Sequence, residues 1–170
     1  MLNEVQDGAK VRVSRAQAAD STDAKDMLLD YREALEISFR DALELPEDAI
    51  AWLLDLWNLI QVLDDVADGD AVDRKDLDAA TYACLAGMPA NSFYQRHQTW
   101  LIPVMSVAVM KWMASDIVER EGCADERSYM WRAGYYDVIV MVSSIVHGPS
   151  SEKALIALRM YGERATDYLK

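Results

Sequence analysis

The sequence predicts an all-α fold, a bundle of about seven helices. Of the 170 residues, 52% are hydrophobic, and only 7 are glycine and 4 are proline. Apolar residues recur at spacings of three and four along most of the chain, which is typical of helices with one buried face. No segment alternates as a strand would, and internal repeats are absent. We expect a polar N-terminal arm over residues 1–20 and a single helical domain over residues 21–170.

The first two helices have local start and stop signals. Ser21 or Thr22 can cap the first helix, because their hydroxyl oxygens accept hydrogen bonds from free backbone N–H groups. Pro46 and the two acidic residues after it open the second helix, and Gly69 ends it. The second helix therefore buries one apolar stripe, formed by Ile50, Leu53, Trp57, Ile60 and Leu63.

The middle of the chain predicts a short helix followed by a long one. Asp73 is expected to cap the short helix, which closes at Gly87. The long helix is predicted from about residue 99 to residue 121, with Pro103 at its beginning or at a kink. Gly122 ends it.

The last part of the chain predicts a helix from about residue 125 to residue 147 and a final helix that begins near Ser151. The first of these carries a mixed stripe that we expect to lie opposite the second helix. Asp137 follows two tyrosines on it and needs either solvent or a partner. The stripe consists of Tyr129, Arg132, Tyr136, Val140, Ser143 and His147.

Composition excludes several classes of function. The formal net charge of -12 repels nucleic acid and anionic membrane surfaces. Cys84 and Cys123 have no metal-ligand spacing, and we interpret them as reduced thiols. The apolar stretches at residues 101–110 and 138–142 are too short to span a bilayer, and no signal peptide is recognisable. We therefore expect a cytoplasmic protein without a membrane span.

Acidic residues crowd the end of the second helix. Asp64 and Asp68 are four residues apart, so their carboxylates project from one helical face, and Asp65 lies beside them. Like charges at the C-terminal end of a helix are unfavourable, so a counter-charge is expected. A Mg²⁺ ion is a suitable candidate, because it prefers carboxylate oxygens and keeps positions open for phosphate or water. The alternative is a solvated helix end that runs into an acidic turn.

Polar residues near the aspartates complete the candidate site. Asn58 and Gln61 precede them by one to two turns on the same helix. Arg74 and Lys75 follow in the next helix, and an arginine offers a planar fork that suits phosphate oxygens. We interpret these four residues, with Tyr136 and Asp137, as candidates for substrate binding. For the two basic residues the alternative is that they balance acidic neighbours, and for Tyr136 it is a buried hydroxyl in an amphipathic helix.

The segment 63–68, Leu-Asp-Asp-Val-Ala-Asp, resembles the first Asp-rich motif, D-D-x-x-D, of the trans-prenyltransferases, the all-helical isoprenoid diphosphate synthases. Arg74 and Lys75 stand where that family has an arginine pair. Residues 148–155 and 159–162 are similar to its glycine, acidic helix start and Tyr-Gly pair. The resemblance covers roughly residues 45–170. It implies an isoprenoid-synthase-like bundle in which Asp64 and Asp68 hold Mg²⁺ and a diphosphate.

Two departures from the family matter. The chain ends at Lys170, before the second Asp-rich motif would occur, and the family's Lys-Thr pair before Gly148 is absent. The resemblance therefore implies the fold and half of a site, incomplete as a prenyltransferase.

Two functions remain open from the sequence. The first is a partial Mg²⁺ and diphosphate site in an isoprenoid-synthase-like protein that binds a diphosphate small molecule. The second is a non-catalytic helical protein that keeps only the fold and serves oligomerisation or partner binding. The apolar residues of the two helices at residues 100–117 and 129–146 are too widely spread for one buried stripe, so a homodimer is predicted.

Overall fold

In the computed structural model, residues 31–161 are described, and every regular element among them is helical. Seven helices follow one another in a bundle, as the sequence predicts. Helix α1 is helical over residues 31–37 and continues into a π-helical turn, Ser38–Ala42. The predicted arm at residues 1–20, the start of the first helix and residues beyond 161 lie outside the described part.

Helix α2 spans Glu47–Asp68, with Pro46 in front of it and Gly69 at its end. Both predicted boundaries are confirmed. Gly69 has φ +78°, a left-handed conformation that glycine adopts without the strain of a Cβ. Helix α3 spans Arg74–Tyr82 and continues through a π-helical turn, Ala83–Gly87, and one turn at Met88–Ala90. Asp73 precedes α3, but the predicted capping hydrogen bond from its side chain is not formed.

Helix α4 spans Ser92–Arg120 and is the longest described helix. It begins seven residues before the predicted start. The Asn91 side chain caps it there, because its Oδ1 atom accepts hydrogen bonds from the backbone N–H groups of Phe93 and Tyr94. Pro103 lies inside the helix. A proline has no N–H group to bond the carbonyl of Thr99, and both residues are exposed.

The predicted helix at residues 125–147 is two helices. Helix α5 spans Glu126–Arg132 and helix α6 spans Gly134–His147. At the junction, a Cβ on Gly134 would lie 3.1 Å from Cα of Ala108, so the glycine lets α6 approach the α4 backbone closely. Helix α7 spans Glu152–Leu158, and the Ser151 side chain caps it.

The core lies between α2, α4 and α6, and α1 and α7 close two of its sides. The Tyr135 hydroxyl donates to the backbone carbonyl of Leu53 at 2.9 Å, and Nε2 of His147 lies 2.7 Å from the carbonyl of Leu43. These two bonds join α6 to α2 and to the turn after α1. The largest fully buried apolar side chains are Trp52, Phe39, Phe93, Leu43, Leu53, Leu101, Ile139, Val138 and Val142.

Candidate functional site

Asp64 lies at the C-terminal end of α2 and faces α4 and α5. Its Oδ1 atom accepts a hydrogen bond from Nη1 of Arg132 at 2.7 Å and one from Nε1 of Trp112 at 3.1 Å. The Asp64 side chain keeps 24% of its surface exposed. The counter-charge that the sequence required is therefore supplied by an arginine of the same chain.

Arg132 joins Asp64 to a second carboxylate. Its guanidinium group forms a bidentate ion pair with Glu119 of α4, in which Nε donates to Oε1 at 2.7 Å and Nη2 donates to Oε2. Such two-pronged pairs are the strong form of ion pair. Hydrogen bonding to Glu119 is the main cause that raises the pKa of Arg132 above its ordinary value, although burial opposes the shift. Arg132 is therefore a permanent cation among three acidic side chains, namely Asp64, Asp68 and Glu119.

Asp68 lies one turn beyond Asp64 and is exposed. Partial burial by its neighbours is the largest cause that raises its pKa, and the negative charge of Asp64 adds to it. The charge of Arg132 acts in the opposite direction. Asp65 is half-buried on the same turn. The three aspartates of the motif thus share one end of α2, and the cation contacts Asp64.

The remaining predicted residues of α2 and α3 lie on either side of the aspartates. Asn58 and Gln61 are half-buried on α2. Arg74 and Lys75 are exposed at the start of α3, and Nε of Arg74 donates to Asp78 on its own helix at 2.8 Å. For Arg74, the structure shows the balancing of an acidic neighbour that the sequence left as the alternative.

Tyr136 and Asp137 lie on α6, and each has a partner on another element. The hydroxyl oxygens of Tyr136 and Tyr31 are 2.5 Å apart, and the ring of Tyr136 packs against Tyr161 at a centroid distance of 5.0 Å. Nζ of Lys111 donates to Oδ2 of Asp137 at 2.6 Å. Asp137 therefore has a cationic partner on α4.

We call Asp64, Asp65 and Asp68, together with their neighbours Trp112, Glu119 and Arg132, the aspartate cluster. As the side chains are arranged, its carboxylates are not gathered around one point as the ligands of a divalent cation would be. Within residues 31–161, no three His, Cys, Asp or Glu side chains stand close enough together to hold a metal ion. Oδ1 of Asp64 already accepts two hydrogen bonds, one of them from the guanidinium group of Arg132. The arrangement suits an arginine, and Mg²⁺ binding stays a prediction from the sequence.

Two partners in this cluster were missed from the sequence. Glu119 and Trp112 lie within the long helix, and no local spacing relates them to Asp64, which is 48 residues before Trp112. The sequence did point to Arg132, because it belongs to the mixed stripe that was expected to lie opposite the second helix. In the structure its side chain forms an ion pair with Asp64 of that helix. Other members of that stripe lie elsewhere, as Tyr136 and His147 show.

The second feature of interest is an apolar surface along α4. On the side of α4 that turns away from buried Leu101 and Ser115, exposed and uncharged side chains continue over five turns. Single exposed apolar residues are ordinary, but a continuous row of them on one helix is not. We call this surface the α4 face, and it consists of Thr99, Ile102, Pro103, Ser106, Val109, Met110, Met113 and Ile117.

The α4 face contains a shallow concavity of about 410 Å³, lined by side chains of α4 alone. Its lining includes Ile102, Met105, Ser106 and Val109, which are related as positions i, i+3, i+4 and i+7. The Ser106 hydroxyl donates to the carbonyl of Ile102 at 2.8 Å and is thereby satisfied within the helix. A second concavity of about 180 Å³ lies near Tyr31. Neither concavity includes a residue of the aspartate cluster.

By length and composition, α4 also meets the criteria for a helix that could cross a membrane, and it alone does so among the described residues 31–161. A mostly buried core helix of a protein without any membrane contact can meet the same criteria, but only 11% of the apolar window of α4 is buried.

Comparisons with protein families, with curated proteins and with solved structures find no match.

Proposed function

We propose that this protein is a helical interaction module that binds a helix of its partner along the α4 face. The observation that carries this proposal is the spacing of the exposed residues. Thr99, Pro103, Ser106, Met110, Met113 and Ile117 follow one another at intervals of four and three residues. That interval is the seven-residue repeat with which one helix packs along another.

The concavity on the α4 face supports a helix as the ligand. A side chain of a facing helix inserts into a hole that four residues form, and the lining at positions i, i+3, i+4 and i+7 has this pattern. A small molecule is a poor fit, because one helix supplies all the lining residues and no opposite wall would cover the ligand.

The charged groups favour binding over catalysis. Two of the side chains that the sequence offers for chemistry form ion pairs within the chain: Asp64 with Arg132, and Asp137 with Lys111. Met110 and Met113, by contrast, are exposed and are not part of the core. Methionine is common on surfaces that bind helices.

Oxidation of methionine tests the proposal. Met110, Met113 and Met130 have comparable exposures of 67%, 52% and 58%, but Met130 lies on α5, outside the α4 face. A synthetic amphipathic peptide with leucine in a heptad pattern serves as the probe. We expect it to slow oxidation of Met110 and Met113 by hydrogen peroxide, measured by mass spectrometry, and to leave Met130 unchanged. If neither the peptide nor a higher concentration of the protein itself slows oxidation of Met110 and Met113 relative to Met130, the proposal is refuted.

The second candidate function, a partial Mg²⁺ and diphosphate site in an isoprenoid-synthase-like protein, has one observation in its favour. The negative charges of Asp64, Asp70 and Glu119 act together on Asp68 and help to raise its pKa, and a bound cation would offset them. Titration calorimetry with Mg²⁺, with pyrophosphate and with both decides the matter. Tighter binding of the two together than of either alone, and its loss in Asp68→Asn, would favour this function over the interaction module.

A further inference from the structure

The apolar surface of α4 requires an occupant, and a bilayer core fits it poorly. Between Arg96 and Lys111, the uncharged stretch is residues 97–110, about 21 Å long at 1.5 Å per residue. A bilayer core is about 30 Å thick. The opposite side of α4 also carries Lys111 and Glu119, whose ion pairs with Asp137 and Arg132 hold α4 to α6 and α5. A helix fits better, because it needs one side of α4 only.

A second copy of the chain matches this surface. A two-fold contact brings a surface against itself, so a charged row would repel its own copy, and the α4 face has no charged member. Its larger side chains, Ile102, Val109, Met110, Met113 and Ile117, are 47–67% exposed. A stable interface takes about 800 Å² per partner, so the smaller members of the α4 face and the residues that flank it must contribute as well.

The charges at the two ends of α4 favour an antiparallel pair. The C-terminal end carries exposed Glu121 and the Asp116–Arg120 pair, in addition to the negative end of the helix dipole. A parallel pair would place two such ends side by side. In an antiparallel pair, each acidic end lies near the end of the partner's α4 that carries the positive end of the dipole and the Arg96–Asp48 ion pair.

Ser106 marks the place where the two helices can approach most closely. It is the small residue at the centre of the concavity, and larger side chains stand on both sides of it. Its hydroxyl is already satisfied within α4, so burial leaves no unpaired donor. We propose that the partner of the α4 face is a second copy of this chain, with the two α4 helices crossing antiparallel on a two-fold axis near Ser106. This inference rests on the proposed function and names the partner.

Helix dimensions make the proposal measurable. Packed helix axes lie about 8–10 Å apart, and each Cα lies about 2.3 Å from its axis, so the two Ser106 Cα atoms would be roughly 3.5–5.5 Å apart. Disulfides need about 4.4–6.8 Å. Ile117 lies 11 residues further along α4, and in an antiparallel pair its two copies would be about 33 Å apart.

Disulfide trapping tests the proposal in the full chain. Exposed Cys84 and Cys123 are first replaced by serine. In that background we compare Ser106→Cys, Ile117→Cys and, as an exposed reference on α5, Met130→Cys. After mild oxidation, non-reducing electrophoresis should show at least a tenfold excess of linked dimer for Ser106→Cys over both other variants. Addition of Met110→Asp to Ser106→Cys should abolish the link, and addition of Met130→Asp should not.

Four outcomes would overturn the proposal. Linkage of Ser106→Cys no greater than that of Met130→Cys would exclude the two-fold contact at Ser106. Equal linkage of Ile117→Cys and Ser106→Cys would show a parallel pair. If light scattering shows monomers, and these monomers bind phosphatidylcholine vesicles through the α4 face in a flotation assay, the occupant is a membrane. Protection of Met110 by the leucine peptide in a protein that stays monomeric would overturn the self-association alone and leave the proposed function intact.

Discussion

Replacement of Arg132 by methionine should destabilise the fold more than any loss of a surface charge. Methionine keeps most of the apolar stem of the side chain but removes the cation that serves Asp64 and Glu119. The two carboxylates would then share a site in which each keeps only about a fifth to a quarter of its surface exposed, 24% for Asp64 and 19% for Glu119.

The magnitude follows from this burial. Breaking a fully buried ion pair costs about 3–5 kcal/mol, whereas an exposed pair contributes about 0–1 kcal/mol. Because the Arg132 side chain retains 20% exposure, water can partly solvate the carboxylates that lose their partner. We expect a loss of about 2–3 kcal/mol in the free energy of unfolding, which lowers the urea midpoint by about 1 M.

Urea unfolding followed by circular dichroism gives the measurement, and Arg74→Met is the matched control. The Arg74–Asp78 pair has the same chemistry but is exposed, at 84% and 60% of the two side chains. Its loss should cost at most about 0.5 kcal/mol. Glu119→Gln added to Arg132→Met should recover part of the stability, because it removes one uncompensated charge. If Arg132→Met and Arg74→Met lower the midpoint equally, the cluster does not hold the helices together as described.

Three further predictions concern single side chains. Among residues 31–161, the buried Oγ of Ser143 has no hydrogen-bond partner, whereas the buried Oγ of Ser115 donates to a backbone carbonyl. Ser143→Ala should therefore be neutral or stabilising and Ser115→Ala should cost about 1 kcal/mol in urea unfolding; the reverse order would contradict the assignment. The folded state raises the pKa of Asp68 above its ordinary value of 3.8, so the ionised carboxylate weakens the fold as the pH rises above that value. Asp68→Asn should therefore raise the urea midpoint at neutral pH and lose this advantage near pH 3.8; the same advantage at every pH would count against the shift. Gly134→Ala should cost about 1–3 kcal/mol, since its Cβ would meet the α4 backbone at Ala108, and an unchanged thermal midpoint would refute the close approach.

The boundaries that the sequence predicted correctly depend on neighbours in the chain. Pro46 and Gly69 bound α2 because proline at a helix start and glycine at a helix end act through the local backbone. Ser151 caps α7 for a similar local reason. The class of fold followed in the same way, from the spacing of apolar residues, although the isoprenoid-synthase-like arrangement of the helices stays a prediction.

The misplaced boundaries depend on packing between distant segments. The division of residues 125–147 into two helices occurs where Gly134 meets Ala108, a contact that no local signal announces. Pro103 suggested a helix start or a kink. It is not a start, because α4 continues through it, with the proline on the exposed side of the helix. At the candidate site the sequence indicated that Asp64 needs a counter-charge, but it could not choose between a metal ion and Arg132, which is 68 residues away.

Helix α4 carries internal ion pairs on one side and the α4 face on the other, so its folding and its association are thermodynamically linked. A partner that binds the folded chain alone stabilises it by RT ln(1 + [partner]/Kd), about 2.7 kcal/mol at a hundredfold excess over Kd. Lys111 and Glu119 would lose their pairing if α4 detached, so loosening of the cluster and loss of the partner should reinforce each other. The lifetime of the protein against proteolysis would then rise with its own concentration, and chains without a partner would be removed first.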